Sequence, residues 1–356
     1  MKVFHCDHCG QLVFFENVLC VSCEHVLAYA PDLNVVTSLD KVDEQTWRSP
    51  LARSQGRLYK LCANYSQHNV CNWTFPADDP HDLCGSCRLT RTIPDLSSVG
   101  NKKAWYKLEV AKRRLVYTLV EFELPLKNKV DDPEQGLAFD FLADPAPGAP
   151  DAKPVLTGHD NGLITLNLAE ADDAEREKRR CLLGEPFRTL LGHFRHEVGH
   201  YYWDRLIRDT PHIDAFRKFF GDERDDYGEA LKRHYNRTPA PGWQEFFIST
   251  YATAHAWEDW AETWAHYLHM TDTLETAATC GVSLAPRRAD EPQLNSVPDP
   301  VTSDVSFDHL MDSWRPLTYM LNNLNRGLGV RDAYPFVLST PVVEKLRFVH
   351  DLINAG

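Results

Sequence analysis

Between residues 196 and 200 the chain reads His-Glu-Val-Gly-His. Residues four apart on an α-helix share a face, so His196 and His200 would stand side by side, close enough to hold one metal ion. Glu197 follows the first of them, within reach of a water at that metal. Two histidines spaced in this way around a glutamate are the ligands and the general base of zinc-assisted hydrolysis. Chance alone produces the pattern in roughly one chain in twenty of this composition. The rest of the sequence therefore has to supply a third ligand.

A catalytic zinc takes three protein ligands and keeps a fourth position open. The segment that can complete it runs from Ser249 to His266 and contains Tyr251, Glu258 and Glu262. Glu258 and Glu262 lie one helical turn apart, with His266 a turn further. One carboxylate can bind the metal while the next hydrogen-bonds a ligand imidazole. His255, Asp259 and Glu262 are the alternative third ligands. Trp257, Trp260, Trp264 and Leu268 read as the apolar core face of the same helix. Core packing does not explain the acidic stripe beside them, because burying such groups unpaired is costly.

Eight of the ten cysteines fall in the first 87 residues. Cys6-x-x-Cys9 and Cys20-x-x-Cys23 form two knuckles that together complete a four-thiolate zinc site, the pattern of a zinc ribbon. Gly10 suits the turn after the first knuckle, and His5 and His8 read as bystanders. Cys62, Cys71, Cys84 and Cys87 form a looser second set, in which His68 or His81 can replace one ligand. The metal count expected is one catalytic zinc and one or two structural ones. Zinc in such short segments serves first to fold them, and recognition of a protein partner by the ribbon region is the further expectation.

The net charge of −13 divides into −3 over residues 1–100 and −10 over the remainder. Neither part offers the basic surface that phosphate neutralisation needs, which disfavours nucleic acid as a partner. No apolar run is long enough to span a membrane. The opening MKVFHCDHCG has no apolar signal region, and a leaderless chain whose cysteines read as metal ligands is expected in the cytoplasm.

Other elements must position these groups. Apolar residues from Trp105 to Phe122 recur at helical spacing over 102–123. Residues 31–61 show no strong period and read as surface wrapping, and the proline-rich stretch 124–154 reads as an irregular loop. A hairpin is expected over 154–168 with its turn at Asp160-Asn161-Gly162. A strand there can line the cleft and take an extended peptide by strand addition. A charged helix is expected over about 171–182, and Pro186 suits the first turn of the motif helix, which would run to about Ile207. The polar stretch 282–304 reads as a loop. Helices follow over 305–326, where Pro316 should kink or split the element, and over 341–354.

His196–His200 followed by Glu258-Asp259-Trp260-Ala261-Glu262 resembles the gluzincin metallopeptidases, whose third ligand is a glutamate. The spacing Tyr251-x6-Glu258-x-x-Ala261-Glu262 is similar to that of lethal-factor-type peptidases. Nearly the whole chain resembles bacterial zinc-binding metallopeptidases that carry an N-terminal zinc ribbon. The resemblance implies an α+β fold, with a zinc-ribbon region over 1–95 and a mostly helical gluzincin-like domain over 100–356. It implies His196, His200 and Glu258 as zinc ligands and Glu197 as general base. Tyr251 would stabilise the oxyanion, and Glu262 would orient a ligand histidine. Many gluzincins have aspartate at that last place, where this chain has Glu262. The expected activity is hydrolysis of a peptide or protein substrate. The competing reading is a non-enzymatic zinc scaffold that binds a protein through its ribbons.

Overall fold

The computed structural model describes residues 1–145, 153–183, 189–236, 239–301 and 305–355, with the backbone alone for 179–183. Strand-rich structure fills the first hundred residues and helices dominate the rest, so the fold is α+β. A small hairpin, β1 (Phe4–His5) with β2 (Leu12–Val13), carries the first knuckle. An antiparallel sheet follows in sequence order: β3 (Val26–Ala30), β4 (Val35–Lys41), β5 (Trp47–Arg48), β6 (Leu58–Leu61) and β7 (Thr74–Pro76). Residues 31–61, expected to wrap the surface, therefore supply most of a sheet. Only Val35–Lys41 is long, and its inner residues are buried on both faces, so no in–out alternation is written into it.

A one-turn helix, α1 (Ala63–Ser66), precedes β7, and β8 (Thr90–Thr92) leads to α2 (Asn101–Glu121). A second sheet has the order β10-β11-β9-β8, made of β9 (Ala138–Leu142), β10 (Gly158–Asp160) and β11 (Leu163–Asn167). Its β9 lies inside the stretch expected to be irregular. Ala138 through Phe141 are all buried, because the strand has parallel neighbours on either side, and Lys112 of α2 and Phe194, further along the chain, pack on Phe139 and Phe141. The cysteine-rich region thus contributes an edge strand, β8, to the sheet of the helical half. The expected hairpin is present: Asn161 and Gly162 take φ of +45° and +77°, the two left-handed residues that a two-residue turn demands.

The charged helix α3 covers Asp173–Leu183 and the motif helix α4 covers Leu190–Leu206. The described part of α4 opens on Thr189, whose hydroxyl accepts from the Gly192 N–H. Pro186 lies outside the described residues. Then follow α5 (Ile213–Phe220), α6 (Tyr227–Asn236), α7 (Ala256–Thr279), α8 (Phe307–Gly327) and α9 (Thr340–Asn354). Helix α8 runs unsplit through Pro316.

The core is continuous across the two halves. Phe15 and Tyr29 of the ribbon region pack against Tyr117 of α2, with ring centroids 5.7 and 5.9 Å apart. No helix of the described residues is long and apolar enough to cross a membrane.

Candidate metal centre and active site

Helix α4 crosses α7 at Gly199, and that crossing builds the site. A Cβ at position 199 would come within 3.0 Å of the Ala261 Cα and 3.3 Å of its carbonyl oxygen. A glycine inside a helix costs about 0.5–1 kcal/mol relative to alanine, and here it permits the close approach. The Trp260 indole N–H donates to the Gly199 carbonyl across the same crossing (2.8 Å).

His196, His200 and Glu258 converge there, with one ligand atom of each lying within 4.8 Å of the others, all buried. The Nε2 atoms of His196 and His200 approach Glu258 Oε2 at 3.0 and 3.4 Å. That oxygen has no partner in hydrogen-bond geometry. Two imidazole nitrogens and one carboxylate oxygen facing a common point, and otherwise idle, form the donor set of a catalytic zinc. Glu258 also sits in the first turn of α7, where the helix dipole favours an anion.

The surroundings hold these donors in place. Glu262 accepts at 2.7 Å from Nδ1 of His196, which leaves Nε2 of that ring for a metal. Ser249 in turn donates to the other oxygen of Glu262 (2.6 Å). Burial alone would lower the His196 pKa, but Glu258 and Glu262 outweigh it and raise it well above its usual value. Burial works to raise Glu197. The adjacent His193, 3.3 Å away, and the ligand imidazoles prevail and keep it an ionised carboxylate. The Tyr251 ring lies 5.7 Å from that of His196. Burial and then Glu258 hold its phenol protonated far above its ordinary range, as a donor.

The alternative ligands are engaged elsewhere. His255 caps α7, Asp259 pairs with Lys345 at 2.5 Å, and the two oxygens of Glu262 are taken by His196 Nδ1 and Ser249. Trp257 is half-buried rather than core, and its ring packs 4.1 Å from that of His200 as a wall of the site. Sequence reasoning missed His193 and Tyr227. His193 falls four residues before Glu197 on the same helix face, a signal that could have been read. Tyr227 donates to Glu258 Oε1 at 2.5 Å from a helix 31 residues upstream, and nothing in the local pattern announces it.

Both cysteine sets close into clusters whose sulfurs lie within 4.8 Å of one another. Cys6–Cys23 and Cys9–Cys20 are 3.6 Å apart and Cys71–Cys84 3.8 Å. A tetrahedron of 2.3 Å zinc–sulfur bonds has edges of about 3.8 Å. His68 packs on Trp105 and His81 pairs with Asp79, so neither replaces a cysteine.

A two-histidine, one-glutamate centre on crossed helices, with closed thiolate clusters ahead of it, is the plan of a zinc-binding metallopeptidase bearing a zinc ribbon. The chain belongs to the family described as "Putative zinc-binding metallo-peptidase", whose model matches residues 101–352, and a zinc-ribbon domain model matches residues 3–98. It is similar to proteins named as uncharacterized from Mycobacterium bovis and from two strains of Mycobacterium tuberculosis. Each is 43% identical over 356 residues, covering 99% of this chain and 96% of the relative. No solved structure matches it.

Proposed function

We propose that the protein is a zinc-dependent peptidase that hydrolyses peptide bonds at the His196–His200–Glu258 centre. The observation that carries this reading is the convergence of these three buried donors on one point, with Glu197 beside them. A zinc ion held there supplies Lewis acidity, which acidifies water and polarises a carbonyl oxygen. Glu197, ionised and braced by His193, takes the proton of the attacking water and passes it to the leaving amine. Tyr251, protonated, donates to the oxyanion that develops on the carbonyl, in a site largely screened from bulk water. Glu262 and Ser249 keep the His196 ring oriented throughout.

Strand β10 is the edge of its sheet. Its His159 ring lies 6.2 Å from that of His200, nearly parallel to it. An extended substrate backbone pairing with that edge would pass the scissile bond over the centre. The first ribbon offers a protein-binding surface in the same reading. Leu12, Phe14 and Val21 stand 60, 78 and 84% exposed around its cluster, an apolar grouping that a soluble chain ordinarily keeps small. The remaining parts are one zinc at the open centre and one at each cysteine cluster. Full-length protein should cleave members of a peptide library in a chelator-sensitive way, and His196→Ala should lose one zinc together with that activity. Cleavage that survives His196→Ala would overturn the assignment.

A further inference from the structure

Helix α6 is not part of the motif, yet it reaches into the metal centre. Its first residue, Tyr227, donates its hydroxyl to Glu258 Oε1 at 2.5 Å. The other oxygen of the same carboxylate, Oε2, faces both imidazoles and has no hydrogen-bond partner. The two oxygens are therefore not equivalent. One is occupied by a phenol, and the other is left bare toward the ligand nitrogens.

We propose that Tyr227 is a positioning residue that commits Glu258 to bind the metal through Oε2 alone. A carboxylate free to rotate can take both oxygens to a zinc ion, filling the position that a catalytic site must keep open. A phenol donating to Oε1 opposes that rotation by making it cost a strong hydrogen bond to a charged acceptor. The Tyr227 ring is held for the task, meeting the rings of His255 and Trp257 edge-on at 5.3 and 5.8 Å. His255 caps α7 and Trp257 packs on His200, so the same contacts that seat the phenol also seat the helix start bearing Glu258. The role divides cleanly from that of Tyr251, whose ring lies against His196.

This role rests on the metal-centre reading of the preceding subsection, but its test needs no substrate. The full-length protein is loaded with zinc, and the affinity of the His196-dependent site is measured by competition with a chromophoric chelator. The ribbon zinc is subtracted by means of His196→Ala. Tyr227→Phe, which removes only the hydroxyl, should weaken that site about tenfold or more, the usual effect of losing a group that orients a ligand. Zinc at the cysteine clusters and the thermal midpoint should stay as in wild type. Tyr319→Phe, at a 57% exposed phenol of α8, should change neither. In a Glu258→Ala background the effect of Tyr227→Phe should vanish, because the phenol then has nothing to orient. A folded Tyr227→Phe protein with wild-type affinity overturns the role while leaving the peptidase reading intact. So does an equal loss of affinity in the Glu258→Ala background. A wild-type protein with no His196-dependent zinc overturns both.

Discussion

The two four-cysteine clusters share one donor set and differ in where they sit. In the first, Cys9 is exposed and Cys23 partly so. In the second, Cys62, Cys71, Cys84 and Cys87 are each at most 2% exposed. Four thiolates around one divalent ion carry a net charge of about −2. Water screens that charge at the first cluster. At the second a buried cation has to balance it, and Arg113 of α2 lies there, 1% exposed and bonded to the Val70 carbonyl. Burial would lower the Arg113 pKa, but Cys71, Glu109, Cys87 and Cys84 raise it instead. Identical ligands thus do different work. With zinc bound, the first cluster would fold a knuckle, and the second would join the ribbon region to α2 of the helical half. The third centre contrasts with both, because its three donors would leave a bound metal ion unsaturated, the condition for chemistry rather than cross-linking.

Removing one ligand of the buried cluster should have the largest effect. Cys84→Ser is expected to abolish folding or lower the thermal midpoint by more than about 10 °C, since the zinc binding energy there is folding energy. Cys9→Ser should lose one zinc while the helical half stays folded and keeps its His196-dependent metal. Equal losses in the two variants would erase the distinction between the clusters. Arg113→Met should cost about 3–5 kcal/mol in denaturant unfolding, the range for a buried charge left without its partner. A neutral result would show that the second cluster needs no counter-charge. At the open centre, Gly199→Ala should cost about 1–3 kcal/mol, because backbone rather than a flexible side chain meets the new methyl. Zinc should then weaken at the histidine site and not at the cysteine clusters. Ser249→Ala is the mildest change, expected at about 1 kcal/mol or less, read as a few-fold weaker hold on that same zinc.

The same contrast explains what the sequence could announce. Ligand sets with short fixed spacing were legible: both cysteine clusters, the motif helix, and Glu258 and Glu262 one turn apart. So was the hairpin, because Asn161-Gly162 is a turn signal of its own. Strands of two to four residues in 31–61 were not, since two residues carry no period, and β9 was hidden by the prolines around it. Trp257 looked like core on helical spacing, yet faces His200 because α7 begins at the site and its first turn lines the cleft. Tyr227 depends on how α6 folds back over α7, a tertiary fact that no local pattern encodes.

In the proposed mechanism Glu197 moves a proton at a zinc held by His196, His200 and Glu258. Glu197→Gln keeps the size of the side chain and removes its basicity. The variant should hold as much zinc as wild type and show no detectable cleavage of a peptide library that wild type digests. Wild-type cleavage by a fully zinc-loaded Glu197→Gln protein would contradict it.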